Sequence, residues 1–86
     1  MIAAADAWGP FRPDLDEAER RACLRALRQT ARLLAGPRAT ALCHLLAAAE
    51  TDPAVLEPAC NALNALAGND KRAIWASYAA LSRSAA

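Results

Sequence analysis

Apolar positions along this chain fall at helical spacing in four stretches, separated by proline, glycine and capping residues. The first is the longest. Leu15, Ala18, Ala22, Cys23, Leu24, Ala26, Leu27, Ala31, Leu33 and Leu34 take up most of a helical wheel drawn over residues 14–35. Asp14 is the expected N-cap, with Glu17 three residues on, and Asp16 and Glu19 add negative charge where the helix dipole favours it. Gly36 is the natural stop, and Pro37 prevents continuation. Glu17 with Arg21 and Asp16 with Arg20 form i,i+4 pairs along the same helix.

A second helix is predicted from Pro37, at its first position, to about Glu50, with Leu42, Leu45, Leu46 and Ala49 inward. Its opposite side, Thr40, Cys43, His44, Ala47 and Ala48, carries no charge and reads as a second contact surface or as a bed for the N-terminal arm. Thr51-Asp52-Pro53 starts a short turn over 53–57. A third helix over 58–67 follows, with Leu56, Cys60, Leu63 and Ala67 inward and Gly68 closing it. Asn69 or Asp70 then caps a last helix over 71–83, with Ile74, Tyr78 and Leu81 inward and Trp75 on the boundary. Connections this short favour antiparallel neighbours. The predicted fold is all-α: a compact bundle of about four short helices spanning 14–86. Residues 1–13, cut by Gly9-Pro10 and Arg12-Pro13, form a proline-punctuated arm.

Composition sharpens this picture. Eighty-six residues make one domain, and its apolar fraction is dominated by 25 Ala against 12 Leu. Alanine lets helices approach closely but buries little area, so the core is thin and a partner or a second copy is expected to supply further burial. Three cysteines without metal-type spacing read as reduced thiols. No basic region precedes the short apolar start, so a secretory signal is not expected. The longest nearly uncharged run, Ala39 to Ala49, is too short for a membrane span. Cytoplasmic location is therefore expected. Nine Arg to one Lys amid so much Ala is the usage of a GC-rich bacterial genome.

Charge supplies the main candidate chemistry. Net charge is only +1, yet residues 20–38 hold six arginines and no acid, while 39–70 hold Glu50, Asp52, Glu57 and Asp70 and no base. Arg21, Arg25, Arg28 and Arg32 follow a 4-3-4 spacing that stacks them in one seam about 60° wide on the first helix. Guanidinium forks bind carboxylates and phosphates bidentately, so the seam suits an acidic protein surface, a phosphate backbone or another anionic ligand. Pairing with acids of neighbouring helices is the alternative within the fold. In the arm, Trp8 and Phe11 read either as a docking peptide or as cover for the bundle.

Other chemistries find no support. Cys43 and His44 are adjacent and diverge by about 100° on a helix, and no close pair of Cys or His exists, so neither a metal nor a cofactor is expected. No nucleophile has a base placed to activate it, and the three glycines mark turns rather than a phosphate loop. The 58–67 helix lacks bases to enter a DNA groove, which disfavours nucleic acid. The expected function is that of a non-catalytic protein–protein interaction module: an adapter, regulatory subunit, inhibitor or dedicated chaperone. Its contact residues would be Arg21, Arg25, Arg28, Arg32, Trp8 and Phe11, and its partner an acidic protein surface or a second copy. Binding of nucleic acid or an anionic ligand through the same arginines is the second expectation.

Overall fold

The computed structural model describes residues 2–85, with side chains through Leu81. It contains four helices, α1 Glu17–Ala35, α2 Thr40–Ala49, α3 Leu56–Asn64 and α4 Gly68–Ala85, and no strand among the described residues. Three-residue 3₁₀ turns at Ala4–Asp6 and Gly9–Phe11 shape the arm, and further turns at Gly36–Ala39 and Pro53–Val55 lead into α2 and α3.

α1 spans about 28 Å at 1.5 Å per residue, which matches the longest dimensions of the molecule, 29 × 28 × 22 Å. α2 packs against α1 and runs antiparallel to it, with Glu50 beside Arg25 and Cys43 beside Arg28; α4 also packs on α1, and α3 on α2. The core runs through Leu24, Leu27 and Ala31 of α1, Leu42 and Leu46 of α2, Leu63 of α3, and Ile74 and Tyr78 of α4. Alanines 31, 35, 39, 49 and 59 are buried between these leucines and let the short helices approach. Among the described residues no helix is long and apolar enough to cross a membrane.

Helix ends show where local signals competed. Asp16, not Asp14, caps α1, accepting the Glu19 backbone N–H at 2.7 Å. Both aspartates have a glutamate three residues on, but Asp14 is held by Arg12 through Nε at 3.2 Å and a second nitrogen at 2.8 Å. The Arg12 guanidinium pulls the Asp14 carboxyl below the ordinary carboxylate range. Arg20 does not close an i,i+4 pair on Asp16. It donates instead to the Pro10 carbonyl at 2.5 Å, tying the arm to α1. Gly36 ends α1 as expected: it takes φ +54°, disfavoured for any residue with a Cβ, and donates its N–H to the Arg32 carbonyl. Pro37 opens a 3₁₀ turn rather than the α-helix proper, which begins at Thr40.

α3 starts two residues earlier than predicted because Pro58 lies in its first turn, where backbone N–H groups have no intrahelical acceptor and a missing one costs nothing. It also ends earlier, at Asn64, and Gly68 opens α4 instead of closing α3. Residues 65–67 thus become the connector, which turns Leu66 toward the core and leaves Ala67 exposed. Neither Asn69 nor Asp70 acts as cap. The Lys71 N–H goes to the Ala67 carbonyl, Asn69 accepts from Arg72 at 2.7 Å, and Asp70 receives Arg38 at 2.8 and 3.0 Å. That last pair clamps the α1–α2 corner to the start of α4, and it lowers the Asp70 carboxyl below its ordinary value.

Candidate functional site

The four seam arginines lie along the α2-facing edge of α1, but they do not share one environment. Arg25 Nε donates to Glu50 Oε1 at 2.6 Å, and Arg28 reaches Glu50 Oε2 at 3.2 Å. Glu50 follows the last turn of α2, and its side chain is only 11% exposed. One nearly buried carboxylate is thus gripped by two guanidiniums from the neighbouring helix. Arg21 makes a loose contact with Glu17 at 3.8 Å. Arg32, a turn beyond Arg28, is exposed and has no ion-pair partner among the described residues. The middle of the seam fastens α1 to α2, and its C-terminal end faces outward as a free cation.

Beyond Arg28 the α1 and α2 surfaces part to form a groove of about 720 Å³. Arg28, Gln29 and Arg32 line it from α1, and Thr40, Cys43 and His44 from α2. No acidic residue lines it. The Cys43 thiol donates to the Arg28 carbonyl at 3.7 Å on the groove wall. Burial raises its pKa, opposed by the positive charges of Arg28 and Arg32. The uncharged side of α2 is therefore open, because the arm takes another route.

That route crosses α1 and α4. Phe11 is 3% exposed and belongs to the core. Trp8, partly buried, meets three rings edge-on: Phe11 at 6.1 Å, Trp75 at 6.3 Å and Tyr78 at 5.7 Å between centroids. Gly9 makes the approach possible, since a Cβ there would sit 2.8 Å from the Tyr78 ring. Both aromatic residues of the arm thus face inward and hold α4 against α1.

On the opposite edge of α1 from the arginines lies an apolar trough of about 540 Å³ between α1 and α4, lined by Ala22, Cys23, Ala26, Leu33, Tyr78 and Leu81. Leu33 is 84% exposed and Leu81 54% exposed. Leu81 reads as inward and Leu33 as part of the apolar wheel on spacing alone, and the structure leaves both exposed because none of the described side chains covers this side of α1. Gln29 borders both the groove and the trough. The outer face of α1 therefore passes, over about 120° of arc, from Arg32 through Gln29 to Ala22, Leu33 and Ala26.

Among the described residues no three His, Cys, Asp or Glu side chains gather where they could hold a metal ion. All three cysteines are free thiols, and Cys60 is buried. No protein-family model matches the chain, and neither does a curated protein or a solved structure.

Proposed function

We propose that this chain is a non-catalytic protein–protein interaction module, an adapter or regulatory subunit, that receives an acidic amphipathic segment of its partner along the outer face of α1. The carrying observation is the exposure of Leu33, 84%, within an apolar trough that Gln29 separates from the unpaired Arg32 on the surface of α1. A helix laid there would place its apolar side chains against Ala22, Leu33 and Leu81 and its carboxylates against Arg32. Covering Leu33 alone contributes about 1.5–3 kcal/mol, whereas the exposed ion pair adds about 0.2–1 kcal/mol and mainly fixes orientation. The stripe pattern, one apolar and one cationic, suits a helix-in-groove mode.

The same division of α1 disfavours nucleic acid. Glu50 already takes two of the seam arginines, and Phe11 and Trp8 of the arm pack against other rings, so no continuous stripe of free arginines interleaved with the arm's aromatics is left to track phosphates. Free thiols support a cytoplasmic setting, and the Arg- and Ala-rich composition a bacterial one.

A photo-cross-linking residue at position 33, with position 61 on α3 as the exposed control, tests the reading in the cells that make the protein. The expected product is a discrete adduct with another polypeptide from position 33 and none from 61. An adduct with a second copy of the chain would turn the reading into self-association. Equal, diffuse labelling from both positions would refute it.

A further inference from the structure

We infer that the α1–α2 groove is a binding site for the phosphate monoester group of a small organic ligand. The site lies on the other edge of α1 from the trough and shares only Arg32 with the docking reading, so Leu33→Gln separates the two. Its donors come from two helices. Arg28 and Arg32 project from successive turns of α1 with Gln29 on their trough-facing side, and His44 comes from the facing wall on α2. Donors on both walls of one groove suit a tetrahedral anion with several acceptor oxygens better than a planar carboxylate.

Three observations converge on an anion at this spot. Cationic and neutral donors line the groove with no acid among them, so nothing in its wall satisfies Arg32. Arg28 gives one nitrogen to Glu50 at 3.2 Å, which orients the guanidinium while its remaining N–H groups stay available. The field of both arginines also reaches the groove wall, because both act on the Cys43 thiol against the effect of its burial. Thr40 is already committed, its hydroxyl donating to the Pro37 carbonyl at 3.0 Å, so it shapes the wall rather than supplying a donor.

Size and lining specify the rest of the ligand. A groove of about 720 Å³ is far larger than a phosphate ion and falls within the roughly 300–1,000 Å³ of small-molecule sites. Gly36, Pro37 and Ala47 complete its lining with apolar surface, which suits an organic body attached to the phosphate.

Amide-resolved NMR titration of the whole chain with phenyl phosphate, benzoate and inorganic phosphate tests this. Phenyl phosphate is expected to bind, with shifts confined to residues 28–47, and benzoate to bind roughly tenfold more weakly or less. Inorganic phosphate should shift the same amides at a weaker affinity, lacking the organic body. Arg32→Gln should weaken phenyl phosphate roughly tenfold, the worth of one charge-assisted pair. Arg21→Gln, on the same seam but outside the groove, and Leu33→Gln, in the trough, should leave binding unchanged. Equal binding of benzoate, scattered or absent shifts, or full affinity in Arg32→Gln would overturn the assignment. So would a phosphoserine peptide that bound roughly tenfold tighter than phenyl phosphate with shifts running along α4, since the ligand would then be a macromolecule.

Discussion

Replacing Arg25 and Arg28 together with glutamine should destabilise the protein far more than replacing Arg32, although the three lie on one seam. The double change leaves the Glu50 carboxylate, only 11% exposed, with neither partner. Removing the partner of a fully buried charge costs about 3–5 kcal/mol, and the residual exposure of Glu50 brings this to about 2–4 kcal/mol. Against a total stability of roughly 4–13 kcal/mol, that is a large share. At about 4–8 °C per kcal/mol for a domain of this size, Tm should fall by roughly 10–30 °C. Arg32→Gln should stay within about 0.5 kcal/mol of the wild type. The decisive comparison adds Glu50→Gln to the double variant. If the cost is an orphaned carboxylate, the triple variant should regain at least half of the lost stability, as a thermodynamic cycle followed by circular dichroism in urea would show. A double variant melting within roughly 3 °C of the wild type, or a triple variant no more stable than the double, would refute the reasoning.

Other expectations follow from the arm and the helix ends. Phe11→Ala should cost about 3 kcal/mol in a urea melt, because the ring is 3% exposed and packs under Trp8. A loss under about 0.5 kcal/mol would show the arm to be dispensable. Gly9→Ala should destabilise on two counts, the φ of +54° and the 2.8 Å approach to Tyr78, and Tyr78→Leu in the same chain should relieve only the second. Differential scanning calorimetry of the two variants separates the terms. Arg38 lowers the Asp70 carboxyl, so this pair stabilises above the ordinary Asp value of about 3.9 and loses its effect as pH falls through the lowered folded value. Asp70→Asn should therefore melt below the wild type at neutral pH, with the difference shrinking in acid. A gap that is constant with pH would contradict this.

The helical class, the number of helices and the α1 stop are legible in the residues because each rests on local chemistry. Gly36 needs its positive φ whatever packs around it. Boundaries shift where two local solutions are equivalent, as with the Asp14–Glu17 and Asp16–Glu19 pairs, which only the grip of Arg12 on Asp14 separates. Pro58 reads as a helix breaker until its place in a first turn is known. The arginine seam is visible as spacing, yet its division depends on Glu50, a residue 25 positions from Arg25, which no local pattern could supply. Leu33 and Leu81 illustrate the opposite problem. An apolar residue at helical spacing looks the same facing a core or facing water, and only the arrangement of the other helices shows that Leu33 and Leu81 flank an open trough among the described residues. The arm follows the same logic: its aromatics are obvious, but their direction is set by Gly9 meeting Tyr78 in three dimensions.

Native mass spectrometry of the protein drawn gently from its own cells, as wild type and as the Leu33→Gln, Arg32→Gln double variant, tests the docking face most directly. Glutamine keeps helix propensity at both exposed positions, so the variant should fold and melt as the wild type does. The account predicts a heavier species carrying a second, acidic polypeptide in the wild type and its loss in the variant. A bare wild-type monomer, or a partner retained undiminished by the variant, would contradict it.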